Sequence, residues 1–242
     1  MAKLLVDWPC PKNVKAVYSD RLAGASLAPY DSYNLGDHVG DDASAVQSNR
    51  QHFQQGMPQQ VCWLKQIHST RVVNASESNM RFAEADASFA MQQDAVCVVM
   101  TADCLPVLFC DKQGTVVAAA HAGWRGLLDG VLENTVAAMN IAPSEIMAWF
   151  GPAIGPDAFE VGAEVYQQFV AKDSKLASAF KASVNSGKYY ADIHQLAKQR
   201  LSALGLNDVY ADASCTLNNA SRFFSYRRDG QTGRMAAAIW LS

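Results

Sequence analysis

Three side chains of this 242-residue sequence are of types that ligate metals or pair as nucleophile and base, and two of them fall where a hairpin would bring them together. Cys104 precedes the apolar run Leu105-Pro106-Val107-Leu108-Phe109-Cys110, and His121 ends a second run, Thr115-Val116-Val117-Ala118-Ala119-Ala120. The intervening turn, Asp111-Lys112-Gln113-Gly114, predicts a hairpin in which Cys110 faces Thr115. That register sets Cys104 directly across from His121 with Cβ atoms about 4.5–5.5 Å apart. A slip of one residue would send them to opposite faces. A thiolate and an imidazole so placed share one metal ion, or the imidazole takes the thiol proton. His68 ends a further run, Trp63-Leu64-Lys65-Gln66-Ile67-His68, and strand ends are where α/β folds gather their sites. His68, Cys104 and His121 make a His2Cys set with one open position, the ligand count of a catalytic rather than a structural zinc. The competing reading treats Cys104 as a small buried hydrophobe and the histidines as satisfied core or surface groups. The shared register weighs against it for Cys104 and His121 together.

Other groups cluster around this set in sequence. Gly123-Trp124-Arg125-Gly126 leads into a helix, so Arg125 either joins the helix N-terminus in an anion pocket or is a surface charge beside two turning glycines. Arg222, Arg227, Arg228 and Arg234 surround the turn Asp229–Gly233, as phosphate ligands or as charges on a solvated turn. Gly151–Pro156 and the following Phe159-Glu160-Val161-Gly162 either turn the chain or line a pocket with Glu160. Asn34-Leu35-Gly36 and Gly40-Asp41-Asp42 read as turn and helix cap first and as substrate contacts second. Asp86 and Asp103 are the nearest carboxylates for proton transfer, with a structural role the stronger reading for each. His38 lies in a Gly/Asp-rich loop, His52 and His194 fall on helices, and Cys10, Cys62, Cys97, Cys110 and Cys215 read as core-packing thiols.

Positioning these groups takes short β-branched strands alternating with helical patterns. Strands are expected at 14–18, 61–67, 71–74, 95–100, 105–110, 115–120, 146–150, 222–225 and 235–241. Many are apolar on both faces, which requires sheets covered on both sides. Helices are expected from Leu127 to Met139, from Ile193 to Leu204 ahead of Gly205, and over Ser44–Gln55. The fold class is therefore mixed α/β, partly antiparallel. With no repeat, linker or low-complexity tract, 1–242 is read as one domain.

Composition bounds the function. At 50% apolar and 18% charged the chain is neither a disordered tail nor a fibre. Twenty Lys plus Arg against 23 Asp plus Glu, a net charge of −3, argues against a nucleic-acid binder. The opening Met1–Asp7 has too short an apolar run for a signal-peptide core, and the apolar region 95–110 is broken by Thr101, Asp103 and Pro106, so no membrane span is expected. Six cysteines without a Cys-x-x-Cys pair read as reduced thiols of a cytoplasmic protein, a monomer or a small homo-oligomer.

Taken together, the motifs resemble the laccase-domain family, also labelled multicopper polyphenol oxidase, which includes the bacterial YfiH-type proteins known as peptidoglycan editing factor. The resemblance spans nearly the whole chain and rests on Asn34-Leu35-Gly36 with Val39-Gly40-Asp41-Asp42, Gln66-Ile67-His68, Thr101–Pro106, His121–Gly126, Gly151–Gly155 with Phe159–Gly162, and Arg228-Asp229 with Thr232-Gly233-Arg234. It departs at Ser19-Asp20-Arg21-Leu22-Ala23-Gly24, where the family tends to have Thr before the arginine and a Gly-Gly pair after it; Arg21 itself is retained. The resemblance implies one zinc ion on the equivalents of His68, Cys104 and His121. It implies mixed β-sheets sandwiched with helices, related to cysteine-hydrolase-like deamidating toxins. It also implies phosphorolysis of adenosine, inosine or methylthioadenosine to base and sugar 1-phosphate, with adenosine deamination, and so purine nucleoside and phosphate as partners. For that chemistry Cys104, His121 and Asp103 are the candidate catalytic residues, and Arg125, Arg21, Asn34, Glu160 and Arg228 the candidate substrate contacts. A multicopper centre needs on the order of ten histidines, whereas this chain has 5; a single copper on the His2Cys set remains compatible. The reading from another class is a metal-free Cys/His hydrolase acting on an amide or peptidoglycan precursor. A third is a nucleotide-binding protein without turnover.

Overall fold

Strands 95–101, 105–111 and 235–241 carry apolar residues at both alternate sets of positions, and in the computed structural model every residue of the three is buried. The structure describes residues 3–242; Met1 and Ala2 of the opening segment lie outside the described residues. The chain runs β1 (Lys3–Leu5), β2 (Val14–Ser19), α1 (Ala43–Gln54), β3 (Gln60–Cys62), β4 (Val72–Asn74), β5 (Ala87–Ala90), β6 (Ala95–Thr101), β7 (Leu105–Asp111) and β8 (Val117–Ala122). It continues through α2 (Trp124–Asp129), α3 (Val131–Met139), β9 (Ile146–Phe150), β10 (Glu160–Gly162), α4 (Ala163–Lys172), β11 (Phe180–Ala182) and β12 (Lys188–Ala191). It closes with α5 (Ile193–Ala203), β13 (Asp208–Ala211), α6 (Tyr226–Asp229) and β14 (Met235–Leu241).

The strands form a five-stranded sheet ordered β1-β2-β14-β6-β3, a six-stranded sheet ordered β13-β9-β7-β8-β5-β4, and a small sheet ordered β10-β12-β11. Parallel pairs (β3 with β6, β4 with β5, β9 with β13) mix with antiparallel ones. Alternation sorts the side chains into separate cores. Cys97, Val99 and Ile239 of the five-stranded sheet meet Leu108, Ala119 and Trp149 of the six-stranded sheet between the two. Val107, Phe109 and Phe150 point the other way, onto Leu127, Leu132 and Leu196 of α2, α3 and α5. Phe53 of α1 covers Val96 and Val98 on the outer face of the five-stranded sheet. Two mixed sheets thus lie back to back between helices. No helix among the described residues is long and apolar enough to cross a membrane.

The hairpin forms with a register different from the expected one. Its loop is Lys112–Thr115, because the buried Asp111 carboxylate accepts the N–H of Thr115 at 2.6 Å and of Val116 at 2.9 Å, while Asp111 N–H donates to Val116 O at 3.2 Å. The pairing therefore shifts by two residues, and His121 faces Pro106 rather than Cys104. A shift of two preserves the face, so Cys104 becomes a diagonal neighbour of His121. The helix expected from Leu127 to Met139 is two helices broken at Gly130, whose φ of +108° suits glycine alone. Both halves keep their apolar residues on one core. Segment 61–67 leaves the sheet after Cys62. Residues 222–225 are not a strand: Phe223 and Phe224 are buried under Ala102 and Met235, and Ser225 caps α6. The small sheet, α4, β5 and β13 are not among the expected elements: the strands of the small sheet and β13 are short, half-exposed runs, β5 is a buried run of four residues, and α4 does carry an amphipathic pattern with Val165 and Phe169 buried.

Candidate metal centre and its cavity

The site is organised by a carboxylate. Asp86, fully buried just before β5, accepts the backbone N–H of Ile67 at 3.2 Å, of His68 at 3.0 Å and of Ser69 at 2.6 Å, together with the Ser69 hydroxyl at 2.7 Å. Those bonds hold His68 at a φ of +60°, a left-handed conformation that non-glycine residues seldom adopt. Asp86 also accepts His121 Nδ1–H at 2.9 Å, which fixes the tautomer and leaves Nε2 free to ligate. Burial raises the Asp86 carboxyl, but its bonds to His121 and Ser69 bring it down overall, so it stays ionised. Gln66 ties the same loop to β6: its amide donates to Met100 O and accepts Met100 N–H, both at 2.7 Å.

Cys104 arrives from the other side, on the turn where the chain passes from the five-stranded to the six-stranded sheet. Asp103 sits there at a φ of +91°, its carboxylate accepting Thr216 Oγ1–H at 2.6 Å, Ser225 Oγ–H at 3.0 Å and Arg227 N–H at 2.7 Å. The ligand atoms of His68, Cys104 and His121 all lie within 4.8 Å of one another. Tetrahedral zinc requires its sulfur and nitrogen ligands about 3.6 Å apart, and Cys104 Sγ lies 3.8 Å from His68 Nε2. The donor set therefore fits a metal ion. Burial alone raises the Cys104 thiol, but the His121 charge and hydrogen bonds from both imidazoles outweigh it and favour the thiolate. Burial likewise lowers His121, while Cys104 and Asp86 raise it on balance.

Gly123 makes the convergence possible: a Cβ there would stand 2.6 Å from His68 Cδ2 and 3.1 Å from Cys104 Sγ. Gly123→Ala is expected to displace His68 and weaken metal binding by about 10- to 100-fold. Competition with a chromophoric chelator measures it, and wild-type affinity in the variant would contradict the crowding.

The three ligands open into a cavity of about 490 Å³, within the range of small-molecule sites. Arg125 lines it, its guanidinium 4.3 Å over the Trp124 ring, alongside Gln66, His38, Tyr226 and Arg234. Other expected contacts are engaged elsewhere. Arg21 donates to Asp31 O and Ala220 O, and Arg228 to the carbonyls of Thr216, Leu217 and Phe223. The Glu160 carboxylate takes Ser183, Asn185 and Lys188. Asn34 is buried in its own turn, bonded to Gly36 and Asp41. Tyr226 and the organising role of Asp86 escaped sequence reasoning, since neither has a partner nearby in the chain.

The sequence family described as multi-copper polyphenol oxidoreductase laccase matches residues 15–242. The chain belongs to this family. Within it, a Haemophilus influenzae protein called purine nucleoside phosphorylase is 52% identical over 238 residues, covering 97% of each chain. The Escherichia coli purine nucleoside phosphorylase YfiH is 51% identical over 244 residues, covering 100% of both. The crystal structure of a Neisseria meningitidis protein superposes with a TM-score of 0.96 at 52% identity, covering 100% of both chains. In this laccase-family chain the described residues gather one group of three or more His, Cys, Asp or Glu able to hold a metal, the His2Cys set.

Proposed function

We propose that this chain is a zinc-dependent purine nucleoside phosphorylase that cleaves adenosine, inosine or methylthioadenosine with phosphate and also deaminates adenosine with water. The observation that carries this reading is one cavity joining an open-sided His2Cys set to two guanidinium groups, Arg125 and Arg234, and to the exposed Tyr226 ring. Arginines recognise phosphate, and an aromatic face accepts a purine. The names carried by close relatives point the same way. His68, Cys104 and His121 would hold the metal, which when bound supplies a Lewis acid for polarising a substrate oxygen or nitrogen. Asp86 orients His121, and the arginines hold phosphate against C1′ of the ribose. A phosphate oxygen then bonds to C1′ as the bond from C1′ to N9 breaks. The electron pair leaves with the purine, which takes the proton of the incoming hydrogen phosphate. With its three hydrogen bonds, Asp103 anchors the Cys104 turn in this scheme rather than shuttling protons.

Assays of metal-loaded protein with each nucleoside test the proposal. Phosphate-dependent release of base and sugar 1-phosphate, and phosphate-independent ammonia from adenosine, are expected. Absence of phosphate-dependent cleavage of all three nucleosides would overturn the phosphorylase reading.

The arrangement of Asp86, His121 and Cys104 in sequence supports a second reading, a metal-free hydrolase with Cys104 as nucleophile and His121 as its base. The two separate on metal: chelator-treated protein that stays active until Cys104 is alkylated favours the hydrolase.

A further inference from the structure

Beside the metal cavity lies an open pocket of about 340 Å³ lined by His38, Tyr226, Gln231, Thr232 and Arg234, three of which it shares with the main cavity. Of the four arginines around the adjacent turn, three are committed. Arg222 stacks over Phe223 beside Tyr18, Arg227 donates to Glu160 O, and Arg228 braces three carbonyls. Arg234 also lies over a ring, 5.8 Å from the Tyr226 centroid, but faces the cavity and is bonded on one side only. Its Nη1 donates to Thr232 O at 2.9 Å and Gly233 O at 3.0 Å, leaving the edge formed by Nε and Nη2 without an acceptor among the described residues. No carboxylate among the described residues stands within ion-pair distance of it, or of Arg125 across the cavity. Burial disfavours the Arg234 charge, and the negative groups that offset this, Cys104 and Asp103, act from beyond ion-pair distance and leave its free edge unfilled, so Arg234 favours an anion on that edge. Its free edge offers two parallel donors, the geometry that grips phosphate in bidentate fashion. Beside it Thr232, 1% exposed, keeps a hydroxyl without a partner among the described residues.

We propose that Arg234, with the adjoining Thr232 pocket, is the oxyanion subsite that takes inorganic phosphate, and that Asn34-Leu35-Gly36 is the device that positions it. Arg234 N–H donates to Asn34 Oδ1 at 2.9 Å, and Leu35 N–H donates to Arg234 O at 3.0 Å. A Cβ on Gly36 would sit 2.8 Å from Arg234 Cγ, so this turn presses on the arginine stem. Asn34 and Gly36 are therefore positioning residues, remote from the reacting atoms. The assignment rests on the phosphorylase reading for its role in turnover.

The test is a phosphate titration of inosine cleavage by the metal-loaded full chain, comparing wild type with Arg234→Met. The KM for phosphate should rise about 10- to 100-fold, with the KM for inosine within about threefold and the metal content unchanged. Arg234→Lys should recover part of the loss, and Gly36→Ala should raise the phosphate KM more than it lowers kcat. An unchanged phosphate KM with a raised inosine KM would overturn the subsite. Calorimetric titration of inorganic phosphate, without nucleoside, separates this from failure of the phosphorylase reading. Phosphate binding by wild type that weakens in Arg234→Met sustains the subsite even if no nucleoside is cleaved. Equal binding by both, or binding by neither, sinks it. Should Arg234→Met not fold, Arg234→Gln, which keeps a polar side chain there, is read by the same criteria.

Discussion

Cys104→Ala is expected to take the purified protein from about one metal ion per chain to background and to lower phosphate-dependent nucleoside cleavage by more than about 100-fold, the upper end for losing a mere outer partner. The thiolate is the anionic member of the set, and two neutral imidazoles alone hold a divalent ion far less well. The side chain faces the cavity rather than the core between the sheets or the core beneath the helices, so its removal opens no buried void. The fold should therefore survive, and the metal-free variant and metal-free wild type should melt together in a calorimeter. Plasma mass spectrometry on untagged protein reads the metal. Full occupancy in the variant would remove Cys104 from the ligand set, and full activity without metal would refute the zinc-dependent mechanism.

Asp86→Asn should cost stability as well as affinity. The carboxylate presents acceptor oxygens to five donors, three of them backbone N–H groups on the His68 loop. An amide replaces one oxygen with a donor, so whichever way it is turned its NH2 confronts N–H or O–H groups at a fully buried position. Breaking such a buried charged network costs about 3–5 kcal/mol. Freeing the His121 ring and the strained His68 backbone should weaken metal binding by a further 10- to 100-fold or thereabouts, roughly the usual cost of losing an outer partner. Urea unfolding of metal-free protein measures the first effect and chelator competition the second. A variant with the wild-type unfolding midpoint would show that Asp86 is not the organiser of the loop.

The ligand set was legible because two long apolar runs around a short turn announce a hairpin, and hairpin pairing forces side chains 17 positions apart onto one face. The register itself was not legible. It depends on the Asp111 carboxylate folding back onto Thr115 and Val116, a side-chain capping choice that alternation cannot reveal. Arg228 and Arg234, 6 positions apart on one turn, look equivalent in sequence. One braces carbonyls and the other lines the cavity, because α6 ends between them and the chain then turns back into β14. Glu160 and Asn34 appeared next to glycines as pocket residues would, yet their partners, Lys188 and the Arg234 N–H, make them internal struts. Partners distant in the chain decide such assignments.

His68 lies on the passage from β3 in the five-stranded sheet to β4 in the six-stranded sheet, and Cys104 on the passage from β6 to β7 between the same two layers. An ion bound by both, and by His121 of β8, rivets the seam between the sheets. Because an ion that binds only the folded chain stabilises it by about 2.7 kcal/mol at a hundredfold excess over Kd, a metal on this set would tie the stability of the seam to metal supply. Chains lacking the ion would then open at this seam first, and limited proteolysis with and without metal would read the difference.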